Sequence, residues 1–126
     1  MPPEATKPRA WKVLESRRVY SSPPWCEVDL QRIRLPDGRI VHDYHWLKLP
    51  RYALVVCLDR QGRILFLEGY RHGCRCSTLS LPGGLLNARE RVLAAVQREL
   101  LEETGYVATD WQRLGAFTPH SNSGAG

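Results

Sequence analysis

Between Gly84 and Tyr106 the chain reads GLLNARERVLAAVQRELLEETGY, and its acidic residues are spaced for chemistry. Gly84 is followed after five residues by Glu90, and Glu90 after seven by Arg98-Glu99-Leu100-Leu101-Glu102-Glu103-Thr104-Gly105-Tyr106. No proline or glycine interrupts residues 89–103, and the Ala, Leu, Val, Arg, Glu and Gln found there favour a helix. On that helix Glu99, Glu102 and Glu103 fall at i, i+3 and i+4, so their carboxylates crowd one face. Each such like-charge pair costs roughly a few tenths of a kcal/mol. The negative end of the helix dipole disfavours them further. A hard divalent cation reverses both penalties, because Mg2+ takes carboxylate oxygens, retains waters and binds substrate phosphates. Immediately upstream, Leu79-Ser80-Leu81-Pro82-Gly83-Gly84 reads as a strand ending in a tight turn. Its two glycines let backbone approach a ligand closely, and a carbonyl there can join a metal's oxygen shell.

The elements that must position these groups are legible around them. Thr104-Gly105 stops the helix, with Gly105 able to take the left-handed conformation found just past helix ends. Leu93, Val96, Leu100 and Leu101 form the stripe expected to pack inward. Glu90 and Arg98 read as an internal ion pair holding the preceding loop against the helix. An isolated acidic cluster is usually a solvated helix face, but the further spacing of Gly84, Glu90 and Arg98 sets that reading aside. Toward the N-terminus, residues 11–20 and 25–35 read as strands broken by Ser21-Ser22-Pro23-Pro24. Pro36-Asp37-Gly38-Arg39 is a hairpin turn, with a returning strand over 39–49. Residues 53–58 and 63–70 are expected to pair across Asp59-Arg60-Gln61-Gly62, with a strand at 78–81 and a late strand at 111–117. The order predicts an α+β chain, an N-terminal antiparallel subdomain followed by a mixed sheet with a helix packed on it.

The defined positions from Gly84 to Tyr106 match the Nudix box, Gly-x5-Glu-x7-Arg-Glu-U-x-Glu-Glu-x-Gly-U with U bulky and apolar, and the chain resembles the Nudix hydrolases. Ser22-Pro23-Pro24-Trp25, Leu35-Pro36-Asp37-Gly38, Glu68-Gly69-Tyr70-Arg71 and the run into Gly84 are similar to the ADP-ribose pyrophosphatase, or nucleotide-sugar hydrolase, branch. That resemblance implies an α/β/α sandwich and a tail at 1–10. It also implies a dimerisation subdomain at 11–49 and the Nudix domain proper at 50–126. It implies Glu99, Glu102 and Glu103 as catalytic residues, with the Gly83 carbonyl completing their metal set, and Arg71 and Gly84 as substrate-binding positions. The cofactor implied is Mg2+, replaceable by Mn2+, and the substrate a nucleoside diphosphate sugar cleaved at its pyrophosphate by a homodimer. Trp25 and Tyr44 are candidates to stack on the base, or alternatively belong to core or dimer interface. Two departures stand out. Relatives often read Pro-Gly-Gly-x-x-Glu-x-Gly-Glu, whereas here Asn87 replaces the first glutamate and Arg89 the second glycine; the number of metals is therefore left open. The branch also more often has glutamine where Gly69 precedes Tyr70-Arg71.

Composition bounds the alternatives. A length of 126 residues with 43% hydrophobic content suits a single small globular core. No apolar run reaches the roughly 20 residues of a membrane span, and the N-terminus lacks the apolar core of a secretory signal. The net charge of +5 is spread along the chain rather than gathered into a polybasic block, which argues against a nucleic-acid surface. The four cysteines lack the paired spacing of a closed zinc site, so reduced thiols in a cytoplasmic protein are expected.

By the same resemblance, residues 119–126 begin a loop that in this branch carries a further catalytic glutamate, ahead of a closing strand and a second helix. The expected reading is a C-terminally truncated chain in which metal binding survives better than catalysis and the general base lies beyond Gly126. Two functions follow from these residues: an Mg2+-dependent pyrophosphohydrolase, or a catalytically weak nucleotide-binding module. The base, the sugar and the physiological role are not written in the sequence.

Overall fold

The computed structural model describes residues 9–125; most of the expected tail at 1–10 lies outside them. The described residues divide into two units, one formed by the chain up to Leu49 with the segment from Phe117, the other by Pro50–Ala116.

The first unit is an antiparallel sheet of β1 (Lys12–Ser22), β2 (Cys26–Arg34) and β3 (Ile40–Lys48), in that order. Its turns fall where proline and glycine put them. Trp25 N–H donates to the Ser22 carbonyl at 2.8 Å across Pro23-Pro24, and Gly38 N–H to the Leu35 carbonyl at 3.0 Å. Asp37 fixes the second turn by accepting the Arg39 N–H at 3.0 Å. The β1–β2 register slips between Val13 and Glu15 and again between Arg18 and Tyr20, irregularities that bend and twist a ribbon. Arg18 ties the pair together by reaching both Glu27 and Asp29 on β2. Ile33 is the buried residue of this sheet. The segment from Phe117 runs beside β3, where Leu47 N–H meets the Ser123 carbonyl at 2.7 Å and Tyr44 bonds the Asn122 carbonyl.

The second unit carries the helix. Here β4 (Tyr52–Leu54) pairs antiparallel with β7 (Gly83–Leu85), and β5 (Leu67–Arg71) with β6 (Cys76–Ser80). Helix α1 (Val92–Thr104) packs on β7 and β4, burying Ala95, Val96 and Leu100 beside Val55 and Pro82. The fold is α+β, with more strand than helix.

Several expectations change in detail. The turn at 59–62 forms, with Gly62 N–H on the Asp59 carbonyl at 3.0 Å, but beyond it only the bridge Leu58–Ile64 joins the two segments. The remaining apolar residues find other partners: 52–54 takes β7, and 67–71 takes β6. Residues 111–117 form no strand, and Leu114 and Phe117 are exposed. The helix begins at Val92 rather than 89, because Arg89 is left-handed (φ 65°) and Arg91 is extended (ψ 139°). The inward stripe is narrower than the leucine pattern suggests, since Leu93 is 50% and Leu101 53% exposed while small Ala95 is fully covered. Gly105 does end the helix at φ 73°, its N–H bonded to the Leu101 carbonyl.

Candidate active site

Glu90 lies outside the helix, in the loop from β7, and that placement organises the site. The left-handed turn at Arg89 folds the loop so that Glu90 Oε2 accepts the Asn87 N–H at 2.9 Å. From the middle of α1, Arg98 reaches back to the same carboxylate with two donors, Nε to Oε1 at 3.0 Å and Nη2 to Oε2 at 3.1 Å. A planar guanidinium fork matches a carboxylate in this way, which an ammonium cannot do. The Arg98 guanidinium and the Asn87 N–H hold the Glu90 carboxyl below its usual pKa, and the surrounding carboxylates raise that of Arg98. This is the internal ion pair expected from the spacing.

Arg98 does more than the sequence suggests. Its Nη1 also donates to Glu99 Oε1 at 2.7 Å and to Glu102 Oε2 at 3.2 Å, and Nη2 approaches the Leu85 carbonyl at 3.4 Å. One guanidinium therefore orients three carboxylates and touches the end of β7. The Glu99 contact, between sequence neighbours, escapes helix-spacing rules, which pair residues three and four apart.

The glycines supply the opposite wall. Gly83 has φ 149°, and a Cβ on it would stand 2.2 Å from the Ala53 carbonyl oxygen; only glycine fits this crossing of β7 over β4. Its N–H donates to Glu103 Oε2 at 2.9 Å. A Cβ on Gly84 would overlap the Glu99 carboxylate, 2.4 Å from Oε1 and 2.6 Å from Oε2. The two glycines thus seat two carboxylates one helical turn apart, Glu99 against Gly84 and Glu103 against Gly83.

These donors suit a hard divalent cation: they are oxygens only, and the missing Cβ at Gly84 leaves the seat that the Glu99 carboxylate fills. Among the described residues no three His, Cys, Asp or Glu side chains already converge on one point, since Glu99 and Glu102 face Arg98 instead. Arg71 sits at the end of β5, where its Nη2 donates to Ser80 Oγ at 2.8 Å, and no hydrogen bond joins it to the glutamates among the described residues. In the other unit, Trp25 is exposed, while Tyr44 packs edge-on against Trp11 with ring centroids 6.2 Å apart.

Sequence reasoning missed the left-handed Arg89. A signal existed, because the related motif carries glycine at that position, the residue that adopts such a φ without strain. It also missed the contact of Gly84 with Glu99, which depends on how closely the β7 loop meets α1.

A family model described as NUDIX domain matches residues 48–125, and one described as nucleoside diphosphate sugar hydrolase N-terminal domain matches residues 11–47. The chain is similar to CMP-5'-(N-acetyl-N-hydroxy-3-aminopropyl)phosphonate hydrolase of Streptomyces rubellomurinus, with 31% identity over 81% of this chain and 49% of that protein. It is similar to the ADP-ribose pyrophosphatase of Bacillus subtilis and to the methanol dehydrogenase activator of Bacillus methanolicus. Each is 24% identical over 84% of this chain and 56% of the relative. The chain spans about half the length of these curated relatives. With the box residues assembled between β7 and α1 and a family model covering residues 48–125, the chain belongs to the NUDIX family.

Proposed function

We propose that this protein hydrolyses the pyrophosphate bond of a nucleoside diphosphate sugar such as ADP-ribose, giving a nucleoside monophosphate and a sugar phosphate. The observation that carries the reading is the seating of Glu99 and Glu103 against Gly84 and Gly83, with Arg98 and Glu90 bracing the helix to the loop. Relatives whose names specify ADP-ribose pyrophosphatase and a CMP-phosphonate hydrolase support the substrate class.

Glu99, Glu103 and the Gly83 carbonyl are the groups that would hold a divalent cation, Mg2+ or Mn2+ in its place. When bound, it neutralises phosphate charge and lowers the pKa of coordinated water. Arg98 restricts the rotamers of Glu99 and Glu102, which keeps both pre-oriented before substrate arrives. Glu102 is the most open of the Arg98-bound carboxylates, its side chain 58% exposed against 15% for Glu90 and Glu99. Held by the longest of the Arg98 carboxylate contacts, 3.2 Å, it is the solvent-facing one that would orient the attacking water. Arg71, exposed at the tip of β5, offers a fork for phosphate oxygens. The four free cysteines fit a reducing, cytoplasmic setting, and the sheet β1–β3 is the surface for a homodimer.

The test is AMP release from ADP-ribose with and without Mg2+, with an EDTA control, in the wild-type chain and in Glu103→Gln. Metal-dependent AMP formation that falls by about two to three orders of magnitude in the variant supports the reading. Nucleotide affinity that ignores both metal and substitution, without AMP formation, would replace it with a binding module.

A further inference from the structure

The turn between β5 and β6 holds a second reactive cluster that the hydrolytic reading does not use. Its sequence is Tyr70-Arg71-His72-Gly73-Cys74-Arg75-Cys76. Arg75 is left-handed, φ 55°, and this bend brings the two thiols of Cys74 and Cys76 to 3.4 Å, with Cys76 donating to Cys74. Both cysteines are exposed, and the turn is closed by the Arg75 N–H on the His72 carbonyl at 3.2 Å. The Cys74 thiol also lies 3.4 Å from the Arg71 carbonyl, to which it donates.

We propose that Cys74 and Cys76 form a reversible intrachain disulfide by exchange with small-molecule disulfides of the glutathione type. A disulfide bond is about 2.05 Å long, so the sulfurs need to close by a little over 1 Å within an exposed turn. The two thiols are not equivalent. The hydrogen bond from Cys76, followed by backbone donors and the nearby Arg71, lowers the pKa of Cys74, while donating raises that of Cys76. Cys74 is therefore the attacking thiolate and Cys76 the resolving thiol. Cys74 sulfur attacks one sulfur of the small disulfide, whose S–S bond breaks, and one small thiolate departs with the electron pair and is protonated. Cys76 then gives its proton to solvent and attacks Cys74 sulfur, which expels the second small thiol. Two protein thiols are oxidised by two electrons in total, and one small disulfide is reduced to two thiols.

Cys76 is the direct ladder partner of Arg71, so closing the ring reshapes the end of the hairpin that presents this arginine. That consequence for substrate rests on the hydrolase reading; the thiol chemistry does not.

The experiment incubates the full chain with a graded series of oxidised-to-reduced glutathione mixtures, then alkylates free thiols and maps peptides by mass spectrometry. The expected product is one peptide with Cys74 and Cys76 joined and two hydrogens lost, reversed by excess reduced glutathione, with Cys26 and Cys57 still alkylated. Cys76→Ser is expected to trap glutathione on Cys74, and Cys74→Ser to slow glutathione attachment at Cys76 at least tenfold. Separate stable glutathione adducts on both cysteines of the wild type, linkage between chains, or oxidation of Cys26 and Cys57 first would each overturn the proposal. Activity is not needed for any of these readouts.

Discussion

Gly83 and Gly84 are neighbours in sequence, yet replacing each with alanine should fail in opposite ways. At Gly84 the new Cβ would stand 2.4 Å from Glu99 Oε1, where ordinary contact begins at 3.4 Å, so the carboxylate must withdraw by about 1 Å. What it strikes is the end of a flexible side chain, so the fold adjusts for less than about 1 kcal/mol. The withdrawn carboxylate is a proposed ligand, and a misplacement of about 1 Å at a reacting centre costs on the order of 100-fold in turnover. At Gly83 the Cβ strikes backbone, 2.2 Å from the Ala53 carbonyl oxygen and 2.9 Å from the Leu54 Cα, at a φ of 149°. Overpacking of about 1–3 kcal/mol and backbone strain of similar size then add to roughly 2–6 kcal/mol. In a domain of this size that lowers Tm by about 10 °C or more. The assay pairs thermal unfolding followed by circular dichroism with Mn2+ affinity from electron paramagnetic resonance of the free ion. Gly84→Ala should keep its Tm and lose Mn2+ affinity about 10- to 100-fold; Gly83→Ala should lose Tm first. Unchanged Mn2+ affinity in Gly84→Ala, or equal Tm losses in the two variants, would refute the seating of Glu99 against the loop.

Leu100 is 1% exposed between α1 and the sheet, so Leu100→Ala should cost about 2–5 kcal/mol, measured by urea unfolding, whereas Leu101→Ala, half exposed, should cost less than about 1 kcal/mol. Arg89→Gly removes a left-handed side chain and should leave stability unchanged or raise it by up to about 1 kcal/mol; a loss beyond that would mean the Arg89 side chain makes contacts that matter. The depressed Glu90 carboxyl contributes stability that is complete above its ordinary value of 4.5 and is lost as pH falls through the lower folded value. Tm should therefore drop below about pH 4.5, and Glu90→Gln should flatten that limb; a variant with the same acid limb as wild type would show that the pair is not coupled to folding.

How much the sequence told depends on the range of the interaction. The helix from Val92 onward, its stop at Gly105 and the Glu90–Arg98 pair are local, set by spacing along one segment, and they stand where the residue pattern puts them, whereas the three residues before Val92 do not. Strand pairing is not local. The run Ala53-Leu54-Val55-Val56-Cys57-Leu58 is apolar enough to pair with any strand, and which partner it takes depends on Gly83 and Gly84 admitting β4 at close range. The same limit explains residues 111–117, where an apolar-rich segment read as a strand has no ladder partner among the described residues; its Trp111, Leu114 and Phe117 recur every third residue, off the period of two that a strand requires. Leu93 and Leu101 show a second limit. Periodicity gives the direction of a helix face, whereas the width of that face is set by what lies opposite, here strands of only three residues each.

The sharing of one arginine among several acids has a kinetic consequence. Glu90, Glu99, Glu102 and Glu103 set against Arg98 leave three negative charges in a chain whose net charge is +5. At physiological ionic strength the Debye length is about 8 Å, so an approaching polyanion senses the groups around the site, where Arg89 and Arg91 flank Glu90 and offset part of this charge, and little of the basic residues beyond that range. Far from the site, salt screens an attraction; at its mouth, salt screens a repulsion. On the proposed hydrolase reading, a nucleotide that arrives before any cation would meet the remaining repulsion, which favours ordered binding: cation first, or cation and nucleotide together.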